Sequence, residues 1–300
     1  MNTIEVSHIQ KTFGTTQAVV DVSFNVERGE IFGLLGPNGA GKTTTIRMML
    51  DIFKPDSGKV SILGGPMSEA KKARIGYLPE ERGLYQDISL ERCLLYLASL
   101  KGVTELDAHT RLAAYLERFD LVGHKGKKVK ELSKGRHQKA QLIATLLHRP
   151  ELIVVDEPFA ALDPLNVQLV KDVMLELRTQ GVAIVMSTHQ MHLVEELCDR
   201  ILLINQGRDV LNGSLREVQR RFTGHAVLVS AQENLPALKG VREIVPHNNA
   251  LKLILEDSTT PQEVFKALAD CGVPVERFEI ATPSLDEIFI QVVETGGDYG

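Results

Sequence analysis

The chain has 300 residues, of which 43% are hydrophobic and 24% charged, and its formal net charge is −5. This length and composition predict a globular protein with one large domain and one small domain. No apolar run approaches the roughly 18 residues of a membrane span, and the N-terminal MNTIEVSHIQK lacks the apolar core of a signal peptide, so we expect a cytosolic protein.

A phosphate-binding loop follows an apolar strand predicted at residues 31–35. The segment GPNGAGKT at 36–43 matches GxxxxGK[ST] in every position and opens an apolar helix at 44–50, whereas a chance glycine-rich turn would need neither neighbour. Backbone N–H groups would wrap the phosphates of a nucleotide, Lys42 would bridge the β- and γ-phosphates, and the Thr43 hydroxyl would bind Mg²⁺. The predicted nucleotide-binding residues here are Gly36, Pro37, Asn38, Gly39, Ala40, Gly41, Lys42, Thr43 and Thr44.

An α-helical insert is predicted at about residues 85–150, where leucines from Leu94 to Leu116 fall on helical faces. Within it, residues 125–139 carry seven Lys or Arg against one Glu. Such a basic run is compatible with a nucleic-acid patch or a solvated face. Beside a polyphosphate site we favour a third interpretation, in which the run concentrates ATP, while for Lys125 to Lys130 a solvated face is an equal alternative. We expect no nucleic-acid partner.

Two acidic residues end a second buried strand. Asp156 and Glu157 follow the apolar residues 152–155, and the carboxyl end of a neighbouring strand is where a nucleotide-bound Mg²⁺ needs a carboxylate. We expect Asp156 to hold Mg²⁺ through water and Glu157 to accept a proton from the attacking water. Acid pairs also occur in surface turns, but here four apolar residues precede the pair. Further apolar runs at 182–186 and 201–204, alternating with helical patterns, predict a parallel α/β sheet covered on both faces.

The segment LSKGRHQK at residues 132–139 opens a helix and resembles the LSGGQ signature of the ATP-binding subunits of ABC transporters. The resemblance covers residues 1 to about 218 and includes every motif in the right order. Ser133 is a natural N-cap and Gly135 allows close backbone approach, so the helix offers bare N–H groups to an anion. The resemblance implies that this anion is the γ-phosphate held by a second ATPase subunit, in a head-to-tail dimer of this chain or with a close homologue.

Four more positions take their expected roles from the resemblance. Phe13 would stack on adenine, Asp163 in FAALD matches the D-loop, and His189 matches the switch histidine. Glu80 stands where the family usually has glutamine, next to Mg²⁺ and the γ-phosphate, and its negative charge is expected to raise metal affinity or slow ATP entry. Three other residues depart from the family pattern, and they are Lys134, Arg136 and Ala161. None of these changes removes a hydrogen-bond donor to phosphate or the general base, so an active ATPase is expected.

A separate small domain is predicted for residues 219–300, which hold 7 Lys or Arg against 12 Asp or Glu, whereas residues 1–218 hold 27 of each. The element order βαββαβ suggests an α+β ferredoxin-like domain. It contains no nucleotide or metal motif, so we expect a regulatory or dimer-supporting role. Its predicted strands lie at 226–229, 243–245, 251–255 and 276–280, and its helices begin with capping boxes at Thr260 and Ser284.

The resemblance implies an ATP-binding and ATP-hydrolysing subunit that drives a separate integral membrane permease by ATP-dependent dimerisation. Such a subunit is held on the inner face of the membrane by its permease. PEERGLY at 79–85 and PSLDEIF at 283–289 resemble the sodium-efflux type of bacterial exporter. The alternative is a non-transport ABC ATPase that acts on a cytosolic assembly, which would usually carry two cassettes or a long coiled-coil insert. A P-loop kinase or switch would need neither the signature nor His189.

Overall fold

The computed structural model describes residues 2–81, 83–223, 226–231, 235, 237–247, 250–256 and 258–295. The chain divides into two compact units, and the second begins at Ser214. The boundary expected after residue 218 falls inside a helix, Leu215–Arg221, which a reciprocal cap between Ser214 and Glu217 begins. Charge composition changes gradually along a chain. It therefore indicates that a second unit is present, but it does not define the residue at which the first helix of that unit begins.

The first unit is built on one nine-stranded sheet with the order β4-β1-β2-β9-β8-β3-β7-β6-β5. Strands β8, β3, β7, β6 and β5 are paired in parallel. The parallel α/β sheet predicted from apolar runs is therefore confirmed. The strands are β1 Asn2–Phe13, β2 Thr16–Glu27, β3 Ile31–Leu35, β4 Ser57–Ile62, β5 Ile75–Leu78, β6 Leu152–Asp156, β7 Ala183–Ser187, β8 Arg200–Asn205 and β9 Arg208–Ser214.

Seven helices accompany this sheet in the described part of the first unit. The helical insert is confirmed, since α3, α4 and α5 follow one another between β5 and β6. Asp163 caps α6 and Pro164 occupies its first turn, as the sequence predicts. The helices are α1 Lys42–Met49, α2 Glu69–Lys72, α3 Leu90–Leu100, α4 Glu105–Arg118, α5 Lys134–Leu146, α6 Pro164–Thr179 and α7 Met191–Leu197.

The antiparallel edge of the sheet was not predicted. Strands β1 and β2 each have 12 residues and pair with each other, but the pairing register shifts four times along β1. Each shift interrupts the strict alternation of buried and exposed residues by which a half-buried strand is recognised in a sequence. Strand β1 therefore lacks regular periodicity, whereas β2 keeps it where buried Val22, Phe24 and Val26 alternate with polar residues, and that signal was overlooked.

The second unit has a four-stranded antiparallel sheet with the order β11-β12-β10-β13. The third strand lies between the first and second, which is the split arrangement of ferredoxin-like folds. One expected helix differs, because described residues 235 and 237–240, between the first two strands, are not helical. The elements are α8 Leu215–Arg221, β10 Ala226–Ala231, β11 Val241–His247, β12 Ala250–Leu255, α9 Pro261–Asp270, β13 Val275–Ile280 and α10 Leu285–Thr295.

Candidate nucleotide-binding site

The loop between β3 and α1 is held against its neighbours by glycines. Gly36 and Gly41 have φ angles of 147° and 110°, in the region that favours glycine. A Cβ atom on Gly36 would lie 2.2 Å from the carbonyl oxygen of Ile204, and one on Gly41 would lie 2.6 Å from that of Ala18. Helix α1 begins at Lys42 without a side-chain cap, so its first N–H groups are available to an anion.

Replacing Gly36 with Ala is expected to weaken ATP binding by more than about tenfold and to lower the free energy of unfolding by roughly 1–3 kcal/mol, because the new methyl group meets backbone. Gly39→Ala is the matched control: its φ is 79°, but a Cβ there meets nothing within 4 Å. Binding of a fluorescent ATP analogue and urea unfolding measure the two effects. Equal losses in both variants would show that conformational strain, and not the clash, dominates.

The Lys42 side chain lies across this loop. Its Nζ donates hydrogen bonds to the carbonyl oxygens of Gly36, at 2.7 Å, and Pro37, at 3.0 Å. Burial lowers the pKa of Lys42, and the nearby carboxylates of Asp156, Glu157 and Glu80 oppose that shift. The loop therefore presents its cation towards three acidic groups.

The residues predicted to bind Mg²⁺ lie in one acidic region. Thr43 Oγ1 donates to Asp156 Oδ2 at 3.4 Å, which joins α1 to the end of β6. Burial raises the pKa of Asp156, and the negative charges of Glu80 and Glu157 raise it further. Glu80 is exposed in the bend that follows β5. A hydroxyl and one or two carboxylates beside a phosphate site match the oxygen ligands that Mg²⁺ prefers, so the residues present fit this metal.

Glu157 is fixed in place from several sides. Its φ is 52°, and its N–H donates to the carbonyl oxygen of Ser187 at 2.8 Å. Its carboxylate accepts from Thr188 Oγ1 at 3.1 Å and from the His189 N–H at 3.0 Å, and lies 2.8 Å from His189 Nδ1. The Glu157 side chain is 14% exposed and that of His189 is 77% exposed. The structure thus brings together the predicted proton acceptor and the histidine that lies 32 residues further along the sequence.

Two supporting residues at this site were missed by sequence reasoning. Thr188 holds one oxygen of Glu157, and the Gln138 side chain donates to the carbonyl oxygens of Glu157 and Pro158 at 3.2 and 3.1 Å. Thr188 directly precedes His189, so its hydroxyl could have been predicted from the sequence to lie at the site. Gln138 lies inside a polar helix where no local pattern distinguishes it from its neighbours.

The signature segment forms the start of α5. Ser133 caps this helix by accepting from the Arg136 N–H at 3.4 Å, and the Ser133 side chain makes no hydrogen bond to residues 36–43 within the described chain. A Cβ atom on Gly135 would lie 3.0 Å from the carbonyl oxygen of Ala161, so this glycine permits close approach of the segment before Asp163. Asp163 caps α6 by accepting from the Asn166 N–H at 3.0 Å.

Phe13 lies at the end of β1, with 43% of its surface exposed. Its ring meets the Phe53 ring edge-on, with 5.4 Å between centroids, and Lys11 Nζ lies 5.6 Å from its centroid. An exposed ring braced in this way can serve as a stacking surface for a flat base.

Residues 19–160 match the family described as ABC transporter, and residues 213–293 match the ATP-binding protein DrrA1-3-like C-terminal domain. An uncharacterised ABC transporter ATP-binding protein of Bacillus subtilis is 40% identical, over 97% of this chain and 98% of its own length. The Nod factor export ATP-binding protein I of Burkholderia lata is 37% identical, over 70% of each chain.

A solved structure of the ATP-binding subunit of an ABC transporter superposes with a TM-score of 0.70 and 33% identity, over 73% of this chain and 92% of that one. The segment that matches the ABC transporter family model, residues 19–160, includes both the glycine loop and the Asp156–Glu157 pair. The predicted P-loop fold with its helical insert is confirmed by this match. The chain therefore belongs to the ABC transporter family as an ATP-binding protein, and it is an ATPase.

Proposed function

We propose that this chain is the ATP-hydrolysing subunit of an exporter and drives a separate integral membrane permease by ATP-dependent dimerisation. One observation carries the proposal: the hydrolytic residues gather at one sheet edge, while Ser133 caps an exposed helix end that makes no hydrogen bond to the glycine loop in the described chain. Each ATP would then need the signature of a second subunit, either this chain or a close homologue. The export relative supports the direction of transport.

The residues divide the work of hydrolysis among them. Lys42 and the N–H groups of the loop would bind and orient the β- and γ-phosphates, and Phe13 would hold the base. Glu157 would accept a proton from the attacking water, and Thr188 and His189 would fix the direction of its carboxylate. Mg²⁺, held by Thr43 and Asp156 with Glu80 nearby, would supply neutralisation of phosphate charge.

A groove beside the Glu80 bend is the proposed docking place of the permease. It has a volume of about 250 Å³ and lies against α3, α5 and the end of β5. Apolar side chains line most of it, and one of them, Leu100, is 61% exposed. Docking there would hold the chain on the inner face of the membrane. Among the described helices, none is long and apolar enough to cross a membrane.

Recovery of the permease tests this proposal. We expect Leu100→Glu to abolish co-purification of an integral membrane protein encoded beside this chain, because a charge would enter the apolar groove. Leu106→Glu, at a leucine that is 80% exposed on α4 and outside the groove, is the matched control and should retain it. ATP hydrolysis by the isolated chain should be unchanged in both. Recovery of ribosomes or DNA in place of a membrane protein would instead favour a non-transport ATPase.

Removal of residues 214–300 is expected to leave ATP binding intact, because every proposed nucleotide contact lies in the first unit, which has its own buried core. The second unit also has a core of its own, built around Val227, Leu253 and Val264. Titration of the shortened chain with a fluorescent ATP analogue measures the effect. A shortened chain that folds, as judged by circular dichroism, but no longer binds nucleotide would refute this division of roles.

A further inference from the structure

A second cavity lies at the sheet edge opposite the nucleotide site. It has a volume of about 640 Å³ and is bordered by Arg74, Glu151 and Val182. These residues directly precede β5, β6 and β7, whereas Asp156 and Ser187 end β6 and β7. Since these strands are parallel, the cavity and the hydrolytic residues lie at opposite ends of the same strands.

Positive charge exceeds negative charge in this cavity. Arg28, Arg74 and Arg149 line it together with one carboxylate, Glu151. Arg74 engages both oxygens of that carboxylate, at 2.6 and 2.7 Å. This pairing lowers the pKa of Glu151, with a further contribution from Arg28. The only carboxylate in the cavity lining is therefore paired with Arg74, and the guanidinium groups of Arg28 and Arg149 are left for a ligand.

Arg28 and Arg149 have no acidic partner in the part of the chain that the structure describes. No carboxylate there lies within 4.0 Å of either guanidinium. Arg28 donates from Nε to the carbonyl oxygen of Gly181 at 3.3 Å, which directs the side chain along the cavity wall. Burial raises the pKa of the half-buried phenol of Tyr115, and the nearby positive charges of Arg118, Arg149 and Arg111 oppose that shift, so the neutral hydroxyl can donate a hydrogen bond.

Arg149 has a left-handed backbone conformation. Its φ is 56°, in the left-handed region, just beyond the end of α5. Glycine is the usual residue at such a position because a side chain there costs conformational energy. Asp51 and Asp120 adopt the same conformation after α1 and α4, so Arg149 occupies a helix ending at which glycine would be free of strain.

We propose that this cavity binds a small phosphate-bearing anion, up to the size of a nucleotide, through Arg28, Arg149 and Tyr115. Planar guanidinium groups bind phosphate through paired hydrogen bonds. Leu146 of α5 and Leu177 of α6 also line the cavity, and the opposite ends of these helices carry Ser133 and Asp163. The anion would therefore lie at the far end of α5, whose start carries the signature that is proposed above to face a second subunit, and at the far end of α6.

Calorimetric titration with inorganic pyrophosphate tests the site on the full chain, with the nucleotide site saturated by a fluorescent ADP analogue whose signal reports that it stays bound. We expect saturable binding that Arg28→Ser/Arg149→Ser weakens by about tenfold or more, since charge-assisted hydrogen bonds are lost. Arg216→Ser/Arg220→Ser removes the same charge from exposed positions of α8 and should bind as the unchanged chain does.

Arg149→Gly separates binding from folding. Because glycine relieves the left-handed conformation, this variant is expected to unfold at the same temperature or higher, and yet to bind pyrophosphate more weakly. That combination would support the site. Absence of saturable binding by the unchanged chain, equal weakening by the two double variants, displacement of the ADP analogue, or unchanged binding by Arg149→Gly would overturn the proposal.

Discussion

Replacing Glu157 with Gln is expected to preserve ATP binding and to lower hydrolysis by about 10²–10⁴-fold, the usual range for loss of a general base. The amide has nearly the same shape, and its oxygen can still accept from Thr188 or from the His189 N–H. It cannot take a proton from water. Phosphate release measures the loss, and size-exclusion chromatography with ATP should show the variant accumulating as a dimer.

The matched control is Glu117→Gln, the same substitution at an exposed position of α4 that is not among the proposed nucleotide contacts. It should hydrolyse ATP at the normal rate. Near-normal turnover by Glu157→Gln would rule out Glu157 as the proton acceptor, and another carboxylate of the acidic region would have to take that role.

Ser133→Arg is expected to abolish most hydrolysis while leaving the affinity of the isolated chain for ATP almost unchanged. Ser133 makes no hydrogen bond to the glycine loop within the described chain, so the substitution should not affect the nucleotide that this loop binds in the same chain. A bulky cation at the start of α5 would instead block closure of a second subunit. Equilibrium binding of a fluorescent ATP analogue and phosphate release measure the two quantities separately.

Ser89→Arg is the control for this variant. Ser89 caps α3 of the same helical insert, and it accepts from the Arg92 N–H at 3.4 Å, as Ser133 does from Arg136. The Ser89→Arg variant loses a helix cap and gains a positive charge, as Ser133→Arg does. Because Ser89 lies outside the signature segment, this variant should retain hydrolysis. Equal loss of binding and hydrolysis in Ser133→Arg would place this serine in the site of its own chain.

Mixing two inactive variants tests the shared site directly. Lys42→Ala removes the loop cation, and Ser133→Arg removes the signature, but a dimer of one copy of each keeps one intact loop facing one intact signature. We expect such mixtures to recover up to one working site per mixed dimer. A mixture as inactive as its components would contradict the head-to-tail arrangement.

The sequence predicts this candidate site because its main residues lie in contiguous motifs at strand ends. The loop at 36–43 and the pair Asp156–Glu157 follow apolar runs, and parallel strands bring such ends together. Gln138 was not found, because its role depends on where α5 passes the end of β6. The arginine cavity was invisible for the same reason, since Arg28, Arg74 and Arg149 come from three separate loops that only the folded sheet assembles.

Fold prediction in the second unit succeeded where a local sequence pattern supported it and failed where only an element order did. The reciprocal caps at Thr260 and Ser284 were predicted and are present, because a capping box is a local pattern of four residues. The helix expected between β10 and β11 was inferred from the βαββαβ order and not from any apolar stripe. The described residues there do not form it, although the strand order that it was meant to explain is present.

The left-handed backbone of Glu157 sets conformational strain against the hydrogen bonds that its side chain makes. With φ at 52°, glycine would suit the turn better than glutamate does, by roughly 1 kcal/mol. Glycine would also lose the hydrogen bonds that the carboxylate accepts from Thr188 and from the His189 N–H, at about 0.5–1.5 kcal/mol each, so these bonds offset the strain. A directed-evolution screen that rewarded heat resistance alone would therefore neither strongly favour nor strongly reject glycine at this codon.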